Sequence, residues 1–226
     1  MTALVQSSEP LVRVEGVSRS YRRGSEIVSA VRHASFGLWP ETLSALIGPS
    51  GSGKTTLLNM IVGAEQPDEG HIHGLPDRAD WSYLAIVPQA MGLLDELTFL
   101  ENVTLPQRLG VTASMPAIEL MGQLGIAHLA ERSPSKTSLG EQQRAAVARA
   151  LLPAPKLVIA DEPTSHQDEA NAYLLIDAFA ASANAGSSIL LATHDTRVID
   201  RCDVILGVND GQVALVRDTP AFNNQH

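Results

Sequence analysis

The sequence predicts an α/β protein with a mostly parallel sheet, an N-terminal antiparallel β leader and an inserted helical subdomain. Three observations carry that expectation. Apolar runs of strand length recur, among them Leu43-Ser44-Ala45-Leu46-Ile47, Leu84-Ala85-Ile86-Val87, Lys156-Leu157-Val158-Ile159-Ala160 and Ser188-Ile189-Leu190-Leu191-Ala192. Such near-continuous apolar composition marks strands covered on both faces, and helical stretches lie between most of them, as parallel connections require. Lastly, Gly48-Pro49-Ser50-Gly51-Ser52-Gly53-Lys54-Thr55 joins the first of these strands to a helical stretch.

Taken in order, residues 11–36 read as β structure, with Leu11-Val12-Arg13-Val14 and Ile27-Val28-Ser29-Ala30-Val31 separated by the polar turn Arg22-Arg23-Gly24-Ser25-Glu26. Thr55-Thr56-Leu57-Leu58-Asn59-Met60-Ile61-Val62 continues the glycine-rich segment as a helix. Pro67-Asp68-Glu69-Gly70 marks a turn and His71-Ile72-His73 a short strand. From about Leu93 to Ser135 strand signals vanish, Thr98-x-x-Glu101 forms a capping box, and Ala117-Ile118-Glu119-Leu120-Met121 reads as helix, which predicts the insertion. Ser138 and Glu141 form a second capping box opening a helix to about Leu152, and another helix spans about 170–183. Residues 203–208, the turn Asn209-Asp210-Gly211 and residues 212–216 predict a closing hairpin, and residues 219–226 a loose tail.

Composition narrows the classes. The 226 residues, 44% hydrophobic, suffice for one large domain or one with an inserted subdomain. Net charge is −9, with 25 acidic against 16 basic residues and no basic run, so no nucleic-acid partner is expected. Cys202 is the single cysteine, which excludes an intrachain disulfide and a cysteine zinc site and predicts a packed thiol. No apolar stretch approaches the ~18 residues of a membrane span, and residues 1–8 lack the features of a secretory signal, so membrane association is expected through a partner.

The glycine-rich segment is a complete phosphate-binding loop in the strand-loop-helix setting it requires, the mark of a P-loop NTPase core that binds a nucleoside triphosphate. Glycines let backbone amides converge on phosphate oxygens, and the helix start adds its positive dipole end. Lys54 is expected at the β- and γ-phosphates, and Thr55 on Mg²⁺. Asp161 and Glu162 follow an apolar strand at the edge where parallel sheets bind ligands. Asp161 is placed to hold Mg²⁺ directly or through water, and Glu162 to accept a proton from the water attacking the γ-phosphate. His194, just beyond residues 188–192, emerges at the same edge and can hydrogen-bond the γ-phosphate; Gln89, after residues 84–87, can ligate Mg²⁺ or orient water. The other histidines, His71, His73 and His128 among them, read as surface or packing residues.

These motifs, in this order, resemble the ATP-binding subunits of ABC transporters across roughly residues 11–216. The resemblance implies one domain of that type over residues 1–226, with a helical subdomain at about 93–152 that includes the signature helix. It implies ATP and Mg²⁺ as cofactors. The nucleotide-binding set becomes Gly48, Pro49, Ser50, Gly51, Ser52, Gly53, Lys54, Thr55, Thr56 and Gln89, with Tyr21 in the place of the aromatic that stacks on adenine. Lys54, Glu162 and His194 are implied as catalytic, and Thr55, Gln89 and Asp161 as Mg²⁺ ligands. The D-loop falls on Ser165-His166-Gln167-Asp168. Two such subunits, here a homodimer, pair head to tail, so that Ser138 and Gly140 of one face the ATP of the other. The partner they drive is a membrane permease, which places the chain peripherally on the cytoplasmic face of the cell membrane.

The segment with Leu93-Leu94, Leu97-Thr98, Leu100-Glu101-Asn102-Val103 and Pro106 looks like the lipoprotein-releasing and macrolide-exporter type, and lies where family members contact their permease. Departures fall in the signature, usually Leu-Ser-Gly-Gly-Gln and here Thr137-Ser138-Leu139-Gly140-Glu141. Leu139 obstructs close backbone approach and Glu141 repels phosphate unless it turns outward toward Arg144. ATP binding with slow hydrolysis is therefore expected, and an ATP-gated regulatory or scaffolding module is the alternative to a transport ATPase. Gln167 also replaces a residue that is commonly apolar.

Overall fold

A computed structural model describes residues 9–76 and 80–218. The expected loose tail at 219–226 and residues 1–8, expected to lack a secretory signal, lie outside the described residues.

Two sheets and their helices form three layers. The leader is the long antiparallel pair β1 (Val12–Arg23) and β2 (Glu26–Leu38), and the short strand β4 (Glu69–His73) adds to β1, giving the order β2-β1-β4. The second sheet contains β3 (Thr42–Ile47), β5 (Leu84–Val87), β6 (Leu157–Asp161), β7 (Ser188–Ala192), β8 (Val204–Asn209) and β9 (Gln212–Asp218). Its order is β5-β6-β7-β3-β8-β9, parallel throughout except for the β8–β9 hairpin. In the hairpin turn Asp210 and Gly211 both have positive φ, at 47° and 78°, as a two-residue turn matched to strand twist requires.

The apolar runs of the central strands alternate between two cores. Ala45, Val158, Ala160, Ile189 and Leu191 face a cluster with helices α5 (Leu139–Leu151) and α6 (Glu169–Asn184) and the inserted helices. Leu46, Leu157, Ile159, Leu190 and Ala192 face the opposite cluster, with α1 (Lys54–Ile61) and the first sheet. A strand covered on both faces gains from apolar residues at every position, which is why these runs read as continuous. The insertion holds the short helices α2 (Phe99–Val103), α3 (Leu105–Arg108) and α4 (Ala117–Gln123) ahead of α5, and both expected capping boxes, at Thr98 and Ser138, are formed. A last short helix, α7 (Thr196–Arg201), follows β7.

Cys202 packs in the first of these cores, its Sγ 3.2 Å from the Val198 carbonyl, and burial pushes its thiol up to about 12, so it is an unreactive packing group. The stretch after Gln89, which the resemblance places at the permease contact, divides: Met91, Phe99 and Val103 are buried in the core, whereas Leu94 is exposed. Among the described residues no helix is long and apolar enough to cross a membrane.

Candidate active site

Parallel register assembles the site. Leu46 of β3 and Asp161 of β6 both pair with Ala192, the last residue of β7, and Val87 of β5 pairs with Ala160. The strand ends therefore bring residues 48, 89, 162 and 194 to one edge of the sheet, where such folds bind ligands.

At that edge the loop from β3 turns into α1 through Gly53, whose φ of 109° few other residues adopt. The loop packs tightly against its surroundings: a Cβ on Gly53 would lie 2.1 Å from the Ala30 carbonyl oxygen, and one on Gly48 would lie 2.2 Å from that of Val208. The first backbone bond of α1 runs from Leu57 N to Gly53 O, so the amides of Lys54, Thr55 and Thr56 precede the helical ladder and point out of the helix start. The Lys54 ammonium donates to the carbonyls of Gly48 at 2.7 Å and Pro49 at 3.1 Å, which curls it over the loop. Ser52 is 5% exposed and its hydroxyl has no hydrogen-bond partner.

Thr55 Oγ1 donates to Asp161 Oδ2 at 3.3 Å. Burial holds the Asp161 carboxyl above the ordinary aspartate range; the Thr55 bond opposes that shift and the neighbouring Glu162 charge adds to it. A cation placed between hydroxyl and carboxylate would relieve that desolvation. Helix-start amides, an ammonium and this hydroxyl-carboxylate pair are the donor set that a magnesium-bound polyphosphate needs.

Glu162 stands in the left-handed region at φ 50°, a conformation that costs a non-glycine residue on the order of 1 kcal/mol. Its amide donates to Ala192 O at 2.8 Å, and its carbonyl accepts from Ser165 N at 3.2 Å and from Gln143 Nε2 at 2.9 Å. So held, its side chain is mostly buried while Oε1 lies 2.9 Å from Nδ1 of the exposed His194, which donates to it. The acid and the histidine, 32 residues apart in sequence, form one unit.

Tyr21 on β1 reaches α1: its hydroxyl donates to Glu65 and lies 3.4 Å from Thr56 Oγ1, and the Arg19 guanidinium sits 5.2 Å from the ring centre. Gln89 is exposed two residues beyond β5. Ser138 and Gly140 are not brought to this loop. They line a separate open hollow of about 490 Å³ with Leu139, Glu141, Arg144 and the D-loop residues. There Glu141 does not turn outward to Arg144. Its carboxylate accepts from Ser138 N at 2.7 Å and Ser138 Oγ at 2.9 Å, which holds it below the ordinary glutamate range, chiefly through the backbone bond. Arg144 instead donates to Gln167 Oε1 at 2.7 Å. The capping box wins because it closes locally, between residues three apart in sequence, whereas Arg144, 7% exposed, has the half-buried Gln167 amide within reach.

Two positions escaped sequence reasoning. Gln143, 2% exposed, reaches from α5 to Glu162 O, and a buried glutamine in a helix rich in alanine is a weak sequence signal. Asp195, beside His194, caps α7 and accepts from Thr164 Oγ1 at 2.7 Å and from the Arg197 guanidinium at 2.7 Å. Its place before Thr196 and Arg197 is a readable helix start. The Arg197 bonds, with lesser help from Thr164 and against the cost of burial, bring the Asp195 carboxyl from 3.8 down to about 2. A depressed carboxylate contributes stability that is complete above pH 3.8 and is lost as pH falls toward about 2. Asp195→Asn is therefore expected to cost on the order of 2 kcal/mol at pH 7 and almost nothing near pH 2, as urea denaturation at several pH values will show.

Comparison with known proteins agrees with this geometry. Residues 31–165 match the family described as ABC transporter. The lipoprotein-releasing system ATP-binding protein LolD of Granulibacter bethesdensis is 38% identical over 218 residues, covering 89% of this chain and 95% of that protein. An uncharacterized ABC transporter ATP-binding protein of Mycobacterium tuberculosis, Rv0986, is 35% identical over 234 residues, covering 96% and 92%. Among solved structures, the dimeric post-hydrolysis state of the ATP-binding cassette MJ0796 bound to ADP and Pi superposes with a TM-score of 0.81 at 28% identity, covering 91% of this chain and 99% of that one. The chain belongs to the ABC transporter family, as one of its ATP-hydrolysing cassettes.

Proposed function

We propose that this cassette powers a separate membrane permease from the cytoplasmic face of the cell membrane, closing on ATP with a second copy of itself. The observation that carries this reading is the convergence, at one sheet edge, of the loop amides, Lys54, the Thr55–Asp161 pair and the Glu162–His194 pair. The loop amides and Lys54 bind the phosphates. Thr55, Asp161 and Gln89 would hold Mg²⁺, which would supply neutralisation of charge on the transferring phosphoryl group. Glu162 takes the proton of the attacking water, and His194, hydrogen-bonded to Glu162, orients it and contacts the γ-phosphate. Tyr21 offers adenine the ring face that Arg19 leaves open.

Ser138 and Gly140, lying away from their own loop, serve the ATP bound by the second copy. The dimeric relative of known structure supports this arrangement. Calorimetry with Mg-ATP on the purified chain and on Lys54→Ala tests the site, with heat of binding expected only for the native chain. Recovery of a multi-span protein with this chain from membranes tests the partner, and the cargo follows from that permease.

A second reading, a regulatory cassette that closes on ATP but turns over slowly, is favoured by one observation: the Ser138 hydroxyl is spent on Glu141. Glu141→Gln removes the carboxylate charge from the facing γ-phosphate. With the charge turned aside and solvated, the relief is about 1 kcal/mol, so turnover is expected to rise about fivefold. Faster turnover by the native chain would refute the inhibitory role.

A further inference from the structure

The residue that joins the two halves of this machinery is Gln143. It lies on α5, two residues beyond Glu141, and is 2% exposed. Its Nε2 donates to Glu162 O at 2.9 Å, while its Oε1 accepts from Gln167 Nε2 at 3.2 Å and His166 N at 3.4 Å. One amide thus ties the signature helix to the backbone of the acid and to the D-loop. Its bond to Glu162 matters because that residue is left-handed, at φ 50°. Such a backbone persists only when its surroundings over-determine it, and relaxation about φ would swing the carboxylate away from His194 and from the water it activates. The amide end of Glu162 is anchored to β7 and its carbonyl end to Ser165 and Gln143, of which only Gln143 comes from another element of the fold. Gly140, where a Cβ would lie 2.7 Å from His166 O, keeps α5 and the D-loop in direct contact.

We infer that Gln143 is a positioning residue that holds Glu162 in its left-handed conformation and so couples water activation in one site to the seating of the signature helix on the other. The inference rests on the proposed role of Glu162 as base. Once α5 engages the facing nucleotide, any shift of the helix pulls on the Glu162 carbonyl through a single hydrogen bond, and the two sites sense each other without a long relay.

The test compares native full-length chain with Gln143→Met, Gln143→Glu, Glu162→Gln and the double variant Glu162→Gln/Gln143→Met. Gln143→Met removes both directions of hydrogen bonding. Gln143→Glu keeps the acceptor for Gln167 and His166 and replaces the donor to Glu162 with an oxygen facing that carbonyl, at the cost of a buried charge that Gln143→Met does not bring, so whichever variant folds tests the bond. Both are expected to lower kcat about tenfold to a hundredfold, the effect of misplacing a catalytic group by about 1 Å, with KM and Mg-ATP affinity within about twofold of native. The double variant is expected to turn over no more slowly than Glu162→Gln alone, because groups acting as a unit are not additive. Native kcat in both Gln143 variants beside an inactive Glu162→Gln overturns the inference and leaves the base assignment standing. So does a parallel fall of kcat, nucleotide affinity and melting temperature, or a further multiplicative loss in the double variant. Native turnover in Glu162→Gln removes the base assignment itself and the inference with it.

Discussion

Glu162→Gln will lower steady-state ATP turnover about a hundredfold or more while leaving Mg-ATP affinity within about twofold of native. The substitution keeps shape and hydrogen-bonding capacity and removes the one property the mechanism needs, a lone pair basic enough to accept a proton from water. The groups proposed to bind phosphate are elsewhere: the loop amides, Lys54 and Thr55 lie between the end of β3 and the first turn of α1, and none of them depends on the ionisation of Glu162. Its backbone is bonded at both ends through main-chain atoms, so the amide side chain inherits the same position. Phosphate release under saturating ATP, with calorimetry alongside, separates the two quantities. Turnover persisting at native level would move the proton-accepting role to another group, with His194 the nearest candidate at 2.9 Å.

The second large effect concerns the loop itself. Gly53→Ala puts a methyl group 2.1 Å from a backbone oxygen of β2, at a φ of 109° that side chains rarely adopt. Neither problem is solved by a rotamer change, since the obstacle is main chain. The loop must move, or β2 must. Loss of about 2–4 kcal/mol of stability is expected, together with loss of measurable ATP binding, because displaced amides no longer converge on phosphate. Gly51→Ala supplies the contrast: its φ is 79°, but nothing lies within 4 Å of the added carbon, so only backbone strain is incurred. Thermal melting of both variants with and without Mg-ATP decides the matter. Equal stability of Gly53→Ala and native chain would show that the leader sheet is not packed on the loop as described.

Much of the architecture was legible because it follows from local chemistry. Capping boxes at Thr98 and Ser138 announce their helices through adjacent side chains alone, and both form. The apolar runs at residues 84–87 and 188–192 match their strands residue for residue; every residue of 188–192 is buried, as in a strand covered on both faces, whereas Ile86 of the edge strand β5 is exposed. Where the apolar run at Lys156 ended one residue early, the reason is pairing: Asp161 is still in register with Ala192, whose carbonyl accepts from Glu162 N, although the Asp161 side chain belongs to the site. The outward Glu141–Arg144 pair that would have relieved the repulsion does not form. Spacing along a helix can suggest that pair, but it does not reveal that Gln167 offers Arg144 a half-buried acceptor at 2.7 Å.

The amino-acid sequence by itself determined that a phosphate loop sits between a buried strand and a helix, that two carboxylates end a second strand, and that a histidine ends a third, because these depend on residue type and on neighbours a few positions away. Tertiary structure alone decided that Glu162 meets His194, that Thr55 meets Asp161, that Gln143 bonds the carbonyl of the left-handed Glu162, and that Ser138 lies away from its own loop. Those facts rest on parallel register and on packing between elements up to 106 residues apart, and no local rule encodes which distant group will satisfy a given buried donor or acceptor.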